Sequence, residues 1–91
     1  MTVVQRRVTI TNKLGLHARA ATKLAKLTQQ FSASIHLQLD DKHANADSIM
    51  ALMLLTGSQG KEVLVSAEGE DARLALEAVC QLFSNRFDEP E

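Results

Sequence analysis

The chain turns from strand to helix within Asn12-Lys13-Leu14-Gly15-Leu16-His17-Ala18-Arg19-Ala20-Ala21. The run before it, residues 3–10, is rich in β-branched side chains and predicts a strand. The run after it, residues 18–31, repeats apolar residues at helical spacing and predicts an amphipathic helix. Gly15 permits the sharp turn between the two. His17 is therefore predicted to stand at the helix start, where unpaired N–H groups and positive dipole potential favour a phosphate.

The composition predicts one ordinary globular domain spanning residues 1–91. A net charge of −1 and only three aromatic residues argue against nucleic-acid or anionic-membrane binding. The first residues carry no long apolar run, so we expect neither a signal peptide nor a membrane span. Cys80 is the only cysteine, which excludes an internal disulfide and fits a reducing cytoplasm.

Period-two alternation and helical stripes predict the remaining elements, with residues 87–91 as a frayed tail. We expect strands at residues 34–39, 42–46 and 62–67, and helices at residues 49–55 and 72–83. The order β-α-β-β-α-β-α predicts an α+β fold, a two-layer open-faced β-sandwich. Its four-stranded, mainly antiparallel sheet would carry three helices on one face. The other face, with His36 and Gln38, would meet water.

The residues around His17 suit a phosphoryl carrier. Histidine is the side chain that is partly neutral near pH 7 and still nucleophilic. The backbone N–H groups of Ala18, Arg19 and Ala20 would supply donors to phosphoryl oxygens, and the Arg19 guanidinium a fixed positive charge. The spacing alone leaves open a second interpretation, in which His17 is a helix-capping or surface residue.

Two segments of the chain carry a family resemblance. Residues 12–19, Asn-Lys-Leu-Gly-Leu-His-Ala-Arg, resemble the active-site segment of the HPr-type phosphocarriers of the bacterial phosphotransferase system. Residues 47–50, Asp-Ser-Ile-Met, resemble the family's second signature, and the similarity covers nearly the whole chain. The resemblance implies a monomeric carrier rather than an enzyme, phosphorylated on His17 at Nδ1, with Arg19 beside the phosphate. It implies no cofactor.

The details of the first segment resemble one branch of that family. Ala20 stands where sugar-branch members have a proline, and Ala18 where a threonine is common. This pattern resembles the members of the nitrogen-related branch. It implies an enzyme I of that branch, charged by phosphoenolpyruvate, as the donor and an enzyme IIA of that branch as the acceptor. A sugar-branch carrier is the alternative.

The second segment predicts a partner-docking surface. The run at residues 49–55 is apolar nearly all round, so some of its side chains must be exposed. We predict docking by a set of apolar residues near His17: Leu16, Ala20, Ile49, Met50 and Met53. The alternative is that the methionines are ordinary core. Ser48 is predicted to cap the helix, with regulatory phosphorylation as the alternative.

Other functions find less support in the sequence. His17, His36 and His43 lack zinc-site spacing, so no metal site is expected. Lys23 and Lys26 are predicted to form a solvated helix face, or to meet an acidic partner. A regulatory module that acts through its unphosphorylated surface is the second hypothesis. An autonomous enzyme is disfavoured because no paired carboxylates or nucleophile constellation accompany His17.

Overall fold

The computed structural model describes residues 3–90 and confirms the predicted succession of strands and helices. Gly15 lies within the connection between the first strand and the first helix, and Asp40–Asp41 form the tight turn of the hairpin. The elements are β1 (Val3–Thr9), α1 (Ala18–Thr28), β2 (Ser34–Leu39), β3 (Lys42–Asn45), α2 (Ile49–Leu54), β4 (Glu62–Glu68) and α3 (Ala72–Ser84). A 3-10 turn, Arg86–Asp88, follows α3.

The sheet has the strand order β1-β4-β2-β3, and every neighbouring pair is antiparallel. Alternation along β4 places Val63, Val65 and Ala67 in the core, because successive side chains of a strand point to opposite faces. The helices cover that face, with α3 against β1 and β4 and with α2 against α1 and β3. His36 and Gln38 are half-buried, alternating with buried Ile35, Leu37 and Leu39. The predicted open-faced sandwich is confirmed.

Helix α1 ends earlier than its apolar stripe predicts. It stops at Thr28, three residues short of Phe31. The chain then turns so that the Asp71 carboxylate accepts the backbone N–H groups of Ser32 and Ala33, at 2.9 and 2.8 Å. Phe31 still packs against the core from outside the helix. Tertiary hydrogen bonding to Asp71, the N-cap residue of α3, therefore overrides the local helical pattern.

The C-terminal tail is docked through residues 87–89, so the predicted fraying of residues 87–91 is wrong for those three, while residue 91 lies outside the described residues. Phe87 is fully buried and meets Phe83 edge-on, with ring centroids 4.8 Å apart. Lys23 Nζ donates to the Phe87 carbonyl at 2.9 Å and lies 3.4 Å from the Asp88 carboxylate. Lys23 is thus a half-buried anchor for the tail, not part of a solvated helix face.

None of the helices in the described part of the chain is long and apolar enough to cross a membrane.

Candidate functional site

His17 is the N-cap residue of α1. Its backbone is extended, at φ −78° and ψ −179°, and its carbonyl accepts the N–H of Ala21 at 2.9 Å. The imidazole Nδ1 accepts the Arg19 backbone N–H at 3.1 Å. The ring therefore takes the position that a serine or aspartate oxygen commonly takes at a helix start. Nδ1 faces the helix N-terminus, where a developing negative charge is favoured.

The loop before His17 is fixed by three hydrogen bonds. The Gly15 N–H donates to the Asn12 carbonyl at 3.2 Å, and Asn12 Nδ2 donates to the Gly15 carbonyl at 2.8 Å. The Leu16 N–H donates to the Gly57 carbonyl at 2.9 Å, which ties this loop to the one after α2. Gly15 adopts φ +65°, in the left-handed region that favours glycine. The loop therefore presents His17 in one fixed direction.

Gly15→Ala is expected to lower the free energy of unfolding by several kcal/mol, measured by urea titration. A left-handed alanine costs about 1–2 kcal/mol. A Cβ at position 15 would also lie 2.2 Å from the Gly57 carbonyl oxygen, so the loop must move. Gly60→Ala is the matched control, since Gly60 is also left-handed, at φ +92°, but its Cβ would meet nothing within 4 Å. Equal losses in the two variants would contradict the steric argument.

A carboxylate from the far end of the chain contacts the His17 ring. Glu89 Oε2 lies 2.6 Å from His17 Nε2, and Glu89 Oε1 accepts from Asn12 Nδ2 at 3.2 Å. The Glu89 side chain is only 5% exposed, and that of His17 is 23% exposed. Burial raises the pKa of Glu89, but hydrogen bonds from Asn12 and His17 and the charges of His17 and Arg19 outweigh it. The net pKa is lowered, so Glu89 is an anion at neutral pH.

Sequence reasoning missed Glu89 because it lies 72 residues from His17 along the chain. No local pattern links the two positions. An acidic residue after the last helix is ordinary for a solvated tail. The large apolar side chain at Phe87, which the structure shows to be buried, was the signal in the sequence that the tail packs against the domain.

The predicted phosphate-side residues flank the ring. Ala18 and Arg19 are exposed at the first turn of α1. Arg19 also lines a shallow groove of about 300 Å³ with Lys13, Leu14, Glu89 and Pro90.

Within residues 3–90, no group of three His, Cys, Asp or Glu side chains is arranged to hold a metal ion. His36 Nε2 lies 2.9 Å from His43 Nδ1, but this pair lies on the hairpin, away from His17.

Two predicted docking residues are in the core, so that part of the docking prediction is wrong. Ala20 is fully buried and Leu16 is 4% exposed. Ala20 belongs to the buried stripe of α1, and Leu16 belongs to the hydrophobic core cluster beside Gly57. A partner cannot contact either side chain without displacing its neighbours.

The predicted α2 residues are exposed, together with two leucines that the sequence reasoning did not select. Helix α2 has six residues and buries only Leu52 among them, because so short a helix has one narrow core face. Ser48 Oγ accepts the Ala51 N–H at 3.2 Å and caps it. We call Ile49, Met50, Met53 and Leu54 the α2 patch; Met50 and Leu54 are 74% and 70% exposed. Leu14, on the His17 loop, is 64% exposed.

The fold and the site together define a small domain that carries one partly exposed histidine at the start of a helix. A match to the family described as "PTS HPr component phosphorylation site" covers residues 4–85. The chain belongs to this family, the HPr phosphocarriers of the phosphotransferase system.

Individual relatives agree with that assignment. Phosphocarrier protein NPr of Shewanella violacea is 48% identical over 98% of both chains. Phosphocarrier protein HPr of Xylella fastidiosa is 44% identical over 96% of this chain and 98% of its own. Among solved structures, HPr-C-His from Thermoanaerobacter tengcongensis superposes with a TM-score of 0.89, at 41% identity over the whole of both chains. The chain is therefore an HPr-like phosphocarrier, similar to proteins of both names.

Proposed function

We propose that this phosphocarrier serves the nitrogen-related branch, taking a phosphoryl group on His17 from that branch's enzyme I and passing it to that branch's enzyme IIA. The observation that carries the histidine assignment is the ring geometry: Nδ1 faces the N-terminus of α1 while Glu89 occupies Nε2. Ala18 and Ala20 support the branch, because Ala20 stands where sugar-branch members have a proline and Ala18 where a threonine is common.

The chemistry of the step needs little rearrangement. As Nδ1 bonds to phosphorus, the bond from phosphorus to the donor atom of enzyme I breaks, and its electron pair stays with the donor. The Arg19 N–H, released from Nδ1, turns to a phosphoryl oxygen, and the exposed guanidinium adds positive charge. A helix N-terminus stabilises a phosphate by about 0.3–2 kcal/mol. So shallow a site lets the group leave again.

The test is transfer from phosphoenolpyruvate through each enzyme I in turn. Label from phosphoenolpyruvate should reach this protein faster through the nitrogen-branch enzyme I than through the sugar-branch enzyme I, at equal enzyme concentrations. It should then pass to the nitrogen-branch enzyme IIA. Faster labelling through the sugar-branch enzyme would overturn the branch assignment and leave a sugar-branch carrier.

The α2 patch gives a specific reason to consider a second function, a regulatory module that binds partners without phosphate. Four large apolar side chains at 39% to 74% exposure form a surface typical of protein contacts. In that function, partner binding would survive loss of the His17 ring. Binding of the unphosphorylated protein to a regulated partner, measured by calorimetry with wild type and His17→Asn, separates the two functions.

Met50→Asp is expected to slow phosphoryl transfer from enzyme I by about 30-fold while leaving the fold stable. An apolar side chain at the centre of an interface contributes about 2 kcal/mol or more to binding, whereas an exposed substitution changes stability by about 0.5 kcal/mol or less. Steady-state transfer assays and urea titration measure the two effects. Leu74→Asp is the matched control, because Leu74 is 65% exposed but lies on α3. Equal slowing by both variants would contradict docking through the α2 patch.

A further inference from the structure

The segment after α3 adopts a backbone that ordinary residues rarely take. Arg86, Phe87 and Asp88 all have positive φ, at 55°, 54° and 62°, and none is glycine. L-residues seldom adopt the left-handed region in succession, so the surrounding structure must hold them there. The buried Phe87 ring and the hydrogen bond from Lys23 to the Phe87 carbonyl do so. The next residue in the chain is Glu89, which this turn directs toward His17.

The Glu89 carboxylate is held by a buried hydrogen-bond donor and is shielded from solvent. Asn12 is fully buried, and its Nδ2 donates both to Glu89 Oε1, at 3.2 Å, and to the Gly15 carbonyl, at 2.8 Å. The same amide therefore fixes the His17 loop and the carboxylate that contacts the His17 ring. At 5% exposure, Glu89 is shielded from the water that would compete for its hydrogen bonds.

The two nitrogens of the ring have different partners. A carboxylate only accepts hydrogen bonds, so its 2.6 Å contact requires the proton on Nε2. The Arg19 N–H only donates, so its contact requires a lone pair on Nδ1. Both contacts specify the same tautomer, and they come from opposite ends of the chain. Glu89 also covers Nε2, which leaves Nδ1 as the nucleophile.

We infer that Glu89 is a positioning residue that confines phosphorylation of His17 to Nδ1. This inference rests on the proposed function, since it concerns the atom that accepts the phosphoryl group. The Nδ1 lone pair forms the bond to phosphorus, and the leaving atom keeps its own electron pair. The proton stays on Nε2, and the Glu89 carboxylate faces the positive charge that the ring gains. When the group moves on, the electrons of the nitrogen–phosphorus bond return to Nδ1, so neither transfer requires a proton to move.

The test uses phosphoramidate, which phosphorylates histidine with loss of ammonia and needs no enzyme I. Full-length, nitrogen-15-labelled wild type, Glu89→Ala and Asp88→Ala are treated with it, and the phosphorylated nitrogen is identified by coupling to phosphorus-31. Wild type and Asp88→Ala should give the Nδ1 product. In Glu89→Ala the share of Nε2 product should rise about tenfold, because a hydrogen bond to a charged group biases an equilibrium by at least that factor. Asp88 is the control because its carboxylate pairs with Lys23.

A second measurement reads the hydrogen bond directly in the unphosphorylated proteins. A downfield proton bound to Nε2 should be visible in wild type and Asp88→Ala and lost to exchange in Glu89→Ala. The inference is overturned if Glu89→Ala still gives only the Nδ1 product, or if Asp88→Ala behaves like Glu89→Ala. If wild type accepts phosphate from phosphoramidate at Nδ1 but never from either enzyme I, the proposed function fails and the role of Glu89 stands.

Discussion

Replacing His17 with asparagine is expected to reduce phosphoryl acceptance from enzyme I to background while the protein stays folded. The imidazole supplies a nucleophilic nitrogen at the start of α1, and asparagine removes it. Asparagine is also among the best N-cap residues, so its side-chain oxygen can accept the Arg19 N–H that Nδ1 accepts now. The measurement is acid-labile label from phosphoenolpyruvate, together with a urea titration.

His17→Ala and His36→Asn complete this experiment. The alanine variant loses the label too, but it also loses the cap, which costs about 0.5–2 kcal/mol of stability. Comparing it with His17→Asn separates the chemistry of the ring from its structural role. His36→Asn removes a histidine on the hairpin and should keep full label. Label that survives in His17→Asn and disappears in His36→Asn would place the phosphate elsewhere.

Phe87→Ala is expected to lower the free energy of unfolding by about 3–5 kcal/mol, the usual cost of emptying a buried phenylalanine site. Phe87 is fully buried and packs edge-on against Phe83, so its loss leaves a cavity beside α3. The left-handed turn then loses its anchor, and Glu89 should leave His17. Urea titration measures the first effect, and trypsin or Glu-C cleavage of the tail measures the second.

Leu74→Ala provides the matched comparison for that loss. It removes a large apolar side chain that is 65% exposed, so stability should change by about 0.5 kcal/mol or less. A Phe87→Ala protein as stable as Leu74→Ala would show that the tail is not docked in solution. The expected result is a clear separation, because a buried ring and an exposed leucine differ in how much apolar surface they remove from water.

Local pattern predicted the strands and helices well where burial follows the period of the element. β2 and β4 alternate in sequence and in burial, and α3 covers its predicted stripe. The prediction was wrong for the end of α1, where Asp71 draws the backbone of Ser32 and Ala33 into a turn. Asp71 lies 38 residues from Ala33, so its effect cannot be read from the sequence around the end of α1.

The docking surface, too, was predicted only in part from the sequence. Helix α2 is apolar all round, which predicts exposed apolar residues but not which ones. Its packing against α1 and β3 decides that Leu52 is buried and Met50 exposed. Leu16 and Ala20 were predicted on the surface because they neighbour His17 in sequence. They are buried because the loop after α2 packs against one and the α1 stripe contains the other.

The sequence by itself determined the order of the elements, the antiparallel sandwich and the placement of His17 at a helix start. These depend on periodicity, on Gly15 and on capping chemistry, all of which act over a few residues. Only the tertiary structure decided which carboxylate meets Nε2, and therefore which ring nitrogen keeps its lone pair. That contact joins residues 72 apart. It exists because burial of Phe87 folds the tail back onto α1, and burial is a property of the assembled core rather than of any local segment.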